Sequence, residues 1–74
     1  IRIQMLYILK IKGTKEIPDF VQIRDKDMTL FAYFRIDQKE LGIKKNNLEK
    51  YKNKIITTIE NIPFGKLKEL DIEI

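Results

Sequence analysis

The chain is 74 residues long, enough for one domain with one modest core, and 15 Lys or Arg against 11 Asp or Glu leave a net charge of +4. It contains no Cys, no His and no Ser, which excludes disulfides, thiolate and imidazole metal ligands and a serine nucleophile; four Thr hydroxyls, carboxylates and Lys remain. No apolar run approaches the roughly 18 to 20 residues of a membrane helix, and the first segment, broken by Arg2, Gln4 and Lys10, does not read as a signal peptide.

These absences point to a non-enzymatic cytoplasmic protein with no cofactor, metal or membrane association. The charge is uneven: +2 over 1–37, +4 over 38–54 and −2 over 55–74. A basic middle invites a nucleic-acid reading. The 14 Ile, 12 Lys and 4 Asn against only 3 Arg give a plainer reason for it, the codon bias of an AT-rich genome.

Residues 1–12, IRIQMLYILKIK, alternate with period two and predict a long strand. Ile3, Met5, Tyr7 and Leu9 form its apolar side. Leu6 and Ile8 interrupt the opposite side, which otherwise carries Arg2, Gln4, Lys10 and Lys12. Residues 13–19, GTKEIPD, read as a short connection to an antiparallel neighbour.

Residues 20–24 and 28–36 predict two strands joined by Asp25-Lys26-Asp27. This spacing suits a hairpin loop and lacks the Gly and closing Glu of a calcium loop. On the second of these strands Leu30, Ala32, Phe34 and Ile36 share one face, and Thr29, Phe31, Tyr33 and Arg35 share the other.

Asp37 and Glu40 have capping-box spacing and Gly42 is a natural helix stop, so 37–42 predict one short helical turn. Residues 46–62, NNLEKYKNKIITTIENI, predict the long helix. Leu48, Tyr51, Ile55, Ile59 and Ile62 line one side of it, Asn46 and Glu49 have the spacing of a second capping box, and Pro63 ends it. Residues 66–74, KLKELDIEI, alternate again and predict a fourth strand. Its acidic side, Glu69, Asp71 and Glu73, would complement Arg2, Lys10 and Lys12 of the first strand.

The expected fold is therefore α+β. A small, mainly antiparallel sheet of three to four strands, in the order β-β-β-short α-α-β, carries one long amphipathic helix on one face. A single domain spans 1–74, and the lack of an initial Met, with an end inside a predicted strand, suggests a piece of something longer.

One helix covers one face of a sheet. The other face is expected to carry Leu6, Ile8, Phe31 and Tyr33 with Arg35, an apolar patch of the kind that marks contact surfaces. The favoured reading is a protein-interaction module, a homodimer or the ligand of a larger protein. The alternative is a single-stranded nucleic-acid-binding domain, in which Phe31 and Tyr33 stack on bases while Lys44, Lys45, Lys50 and Lys54 meet phosphates. A third reading covers the patch with the chain's own 13–19 segment or with residues beyond this piece. A pocket between helix and sheet, for a regulatory ligand, is the remaining class.

Overall fold

A computed structural model of the chain describes residues 5–70 and 72. Strands β1 (Leu6–Ile11), β2 (Phe20–Arg24), β3 (Leu30–Arg35) and β4 (Lys68–Leu70) form one sheet in the order β3-β2-β1-β4, with every neighbouring pair antiparallel. Between β3 and β4 run two helices, α1 (Lys39–Lys45) and α2 (Lys52–Asn61), each led in by a 3-10 turn, Ile36–Gln38 and Glu49–Tyr51. The architecture is a small α+β layer pair: one sheet, and helices on one side of it. No helix among the described residues is long and apolar enough to cross a membrane.

The core shows which side. Leu6, Ile8, Val21, Ile23, Ala32, Phe34 and Leu70 from the sheet meet Ile43 of α1, Leu48, Ile55 and Ile59 of the α2 segment, and Ile72. Residues directly opposite in an antiparallel ladder share a face, so the pairs Leu6↔Leu70, Ile8↔Ile23, Ile23↔Ala32 and Val21↔Phe34 define the covered side. The expected face of β1 is thereby reversed. Leu6 and Ile8 are wholly buried beneath the helices, whereas Tyr7, Leu9 and Ile11 lie on the open side and are only partly buried. Ile3, assigned to the covered side by alternation, lies outside the described residues.

The reversal has a physical cause. Both faces of β1 are apolar at its centre, so alternation alone cannot choose between them, and a choice wrong by one residue exchanges every side chain. Lys10, expected on the side opposite the helices, lies on the covered side. Its ammonium donates to the Ile62 carbonyl at the end of α2 (3.1 Å) and lies 4.4 Å from the Phe64 ring centre. A cation there satisfies an orphan carbonyl and complements the helix dipole. Basic residues at the rim of the layer are therefore compatible with burial of the strand's middle.

The helices also differ from expectation. Gly42 does not stop α1, which continues to Lys45. Asn46 closes α1 rather than opening α2: its backbone N–H and its side-chain amide both donate to the Gly42 carbonyl. Neither capping-box pair supplies a side-chain cap. Asp37 turns back to Arg35 instead. The helix expected from Asn46 begins only at Glu49 as a 3-10 turn and runs as α2 from Lys52, and it is set off from α1 at Asn47, whose φ of 60° suits an Asn. The stripe Leu48, Tyr51, Ile55, Ile59 and Ile62 nevertheless faces the core, and Ile62 is already extended before Pro63.

Strand β4 pairs with β1 as expected, but Glu69 stands opposite Tyr7 and not opposite a basic residue. Lys12 pairs with Asp19 instead, at 3.9 Å. Arg2, Asp71, Glu73 and Ile74 lie outside the described residues.

The β2–β3 turn closes through Asp25 N–H to the Thr29 carbonyl and Met28 N–H to the Asp25 carbonyl, both 3.0 Å. Asp25 Oδ1 also accepts the N–H groups of Asp27 and Thr29. This forces Met28 to φ 65° with its side chain largely exposed. Left-handed strain of roughly 1–2 kcal/mol exceeds the ~0.5–1 kcal/mol entropic penalty of glycine. Met28→Gly is expected to stabilise the protein by about 0.5–1 kcal/mol, read as a higher urea midpoint.

Candidate interaction surface

The ladder pairs also define the open side. Tyr7↔Arg24, Leu9↔Gln22 and Ile11↔Phe20 continue across β2 as Gln22↔Tyr33 and Phe20↔Arg35. A register shift between Ile23 and Arg24 leaves Phe31 as an extra residue and pairs Leu30 with Arg24. The bulge moves Leu30, expected on the covered side, to the open one, where it is 48% exposed beside Phe31 at 38%.

The result is a face carrying Tyr7, Leu9, Ile11, Phe20, Leu30, Phe31 and Tyr33, with Gln22, Arg24 and Arg35 among them. The aromatics at its centre are ordered by each other: the rings of Phe20 and Tyr33 stack at 4.8 Å and 19°. Tyr33 remains 50% exposed.

Both arginines are held by their own chain. Arg24 donates Nε and Nη2 to Gln22 Oε1 (3.1 and 2.7 Å) and Nη1 to the Met28 carbonyl (2.8 Å), which clamps the turn to the strand. Arg35 donates Nε and Nη2 to the two carboxylate oxygens of Asp37 (2.9 and 2.6 Å). This hydrogen bonding holds the Asp37 carboxyl below its ordinary range and raises the Arg35 guanidinium. A lowered folded pKa means the pair's contribution is complete above the ordinary carboxylate range and is lost as pH falls through the lowered value. Both groups are solvent-exposed, so the effect on stability is small. An NMR titration of the Asp37 carboxyl carbon should show a midpoint below that of a free Asp, and Arg35→Ala should restore the ordinary one.

Of the five residues expected to form an apolar contact patch, the structure keeps Phe31, Tyr33 and Arg35 together on β3 and removes Leu6 and Ile8 to the core. Tyr7, Leu9, Ile11 and Phe20 were missed. No sequence signal singles them out, because both sides of β1 are apolar at its centre and alternation does not say which one stays open.

The basic residues separate. Lys44, Lys50 and Lys54 are exposed on the helical layer, across the sheet from Tyr33. Only Lys45 approaches the aromatics. With Gln38 and Leu41 it forms one wall of an open groove of about 240 Å³ whose other wall is Phe20, Tyr33, Phe34 and Arg35. Among the described residues no cluster of three or more carboxylates could hold a metal ion.

No protein-family model matches the chain, no curated protein is similar to it, and no solved structure matches its fold.

Proposed function

We propose that the protein is a non-enzymatic module of the cytoplasm that works by protein contact, and that it associates with a second copy of itself through the surface centred on Phe31, Tyr33 and Arg35 of β3. One observation supports this most: a sheet face left bare by the helices carries seven large apolar residues where solvent alone would favour polar ones. At roughly 1.5–3 kcal/mol for each large apolar side chain fully buried, covering even part of this face gives a useful gain to so small a domain. Replacing both Phe31 and Tyr33 with Ser should weaken association, seen as a smaller sedimenting mass, while circular dichroism stays unchanged. Unfolding instead would place these rings in the core and end the proposal.

A second reading, single-stranded nucleic acid, is favoured by the stacked Phe20–Tyr33 pair beside Arg24 and Arg35. Against it stand the internal partners of both arginines and the position of Lys44, Lys50 and Lys54 on the far side. A mobility shift with single-stranded oligonucleotides decides: binding that falls steeply with salt supports it, and no binding at low salt ends it.

A further inference from the structure

The two margins of the sheet differ. Strand β4 is a three-residue edge bearing Lys68 and Glu69, short and charged in the way that discourages pairing. Strand β3, whose one neighbour among the described strands is β2, is six residues long, has no Pro, and is uncharged from Leu30 to Phe34. The Ile36 N–H donates to the Asp19 carbonyl on the β2 side (3.0 Å). Alternation then turns the Phe34 and Ala32 groups towards β2 as well, and leaves the N–H and C=O of Tyr33 and the N–H of Arg35 pointing away from it. The groove of about 240 Å³ lies beside these groups, and its second wall is α1, which Gly42 brings close against Phe34.

We propose that the β3 edge and α1 form a slot for an extended peptide of another protein, which adds to the four-stranded sheet beside β3 and sets an acidic side chain on Lys45. Strand addition takes its affinity from main-chain hydrogen bonds and its selectivity from the groups that meet alternate side chains. Tyr33 supplies a donor and an acceptor, and Arg35 supplies a further donor. An added strand turns every second side chain towards α1, where the exposed Leu41 offers apolar contact and Lys45 offers a charge.

The charges around the slot select an acidic peptide. Arg35 and Lys45 are the charged residues that line the groove. Arg35 holds both carboxylate oxygens of Asp37, so that pair adds no net charge. Lys45 has no ion pair or hydrogen bond among the described residues. Lys39, Glu40 and Lys44 are outside the lining: at 3.6 residues per turn, Gln38, Leu41, Gly42 and Lys45 share the groove side of α1 and Glu40 falls opposite them. Asp25, Lys26 and Asp27 belong to the turn at the other end of β3. The slot thus carries one uncompensated positive charge. A strand added at this margin leaves the open sheet face as it is, so it neither uses nor requires association through that face.

The test is fluorescence anisotropy of the full chain with two dye-labelled, end-blocked octapeptides. In the first, threonine alternates with valine, leucine, glutamate and valine; in the second, lysine replaces the glutamate. The glutamate peptide is expected to bind saturably, about fivefold or more tighter than the lysine peptide. Lys45→Glu should reverse that order; the residue is exposed, and circular dichroism of the variant should match that of the unaltered chain. An added strand bonds through every second residue, so N-methylation of one alternate set of peptide amides should abolish binding and of the other set should spare it. The proposal is overturned by failure of both peptides to bind at millimolar concentration, by equal binding of the two without reversal in Lys45→Glu, or by equal loss from the two methylated sets. None of these outcomes bears on self-association, which the sedimenting mass of the unaltered chain reads separately.

Discussion

Ile8→Ala is expected to lower the unfolding free energy by about 2–5 kcal/mol, whereas Leu9→Ala, one residue along the same strand, should have a clearly smaller effect. Ile8 is fully buried and stands in the ladder between Lys68 and Ile23, under the helices that contribute Ile55 and Ile59. Truncation there leaves a cavity that a close-packed layer pair collapses only in part. Leu9 is half-buried on the open face, where solvent fills the space its methyls leave. For a domain of this size each kcal/mol corresponds to roughly 4–8 °C in Tm, so thermal unfolding separates the two variants easily. The opposite order, with Leu9 the costly position, would restore the face assignment that simple alternation suggests.

Gly42→Ala should destabilise the protein even though it exchanges glycine for the best helix former inside α1. The exchange alone is worth about 0.8–1.0 kcal/mol in favour of Ala. At this position a Cβ would overlap the Phe34 side chain at its root, Cβ and Cγ, and not at a tip that could swing aside. Gly42 is where α1 lies on β3, and Phe34 is a buried member of the core. Overpacking of this kind costs typically about 1–3 kcal/mol, which exceeds the propensity gain. Phe34→Leu should recover part of the loss in the double variant, a non-additivity expected only of residues in contact. A simple gain in stability from Gly42→Ala would mean that α1 does not approach β3 so closely.

The same close approach explains what the sequence conveyed and what it did not. Periodicity was enough to find all four strands, the β2–β3 hairpin, the core stripe of α2 and its end at Pro63, because each rests on residues near one another in the chain. It failed where the deciding neighbour is remote. Gly42 looks like a helix stop, yet it is a glycine because Phe34 leaves no room for a side chain. Asn46 looks like the opening cap of a long helix, yet its amide finds the Gly42 carbonyl behind it. Lys10 looks like a residue of the side opposite the helices, yet it reaches the end of α2, 52 residues away in sequence. Of the open sheet face, Phe31, Tyr33 and Arg35 were legible because β3 has one unambiguous core side, Ala32 with Phe34. The β1 contribution was not, since both of its sides are apolar. The bulge at Phe31 carries no sequence signal strong enough to place Leu30.

Sedimentation of the unaltered protein from low micromolar to near-millimolar concentration tests the central claim most directly, because association shifts with concentration by mass action. The mass should rise from that of the 8.9 kDa chain towards twice that value, and should stay near the single-chain value across the same range when Phe31 and Tyr33 are both serine. A mass fixed at one chain throughout, for the unaltered protein, would contradict it.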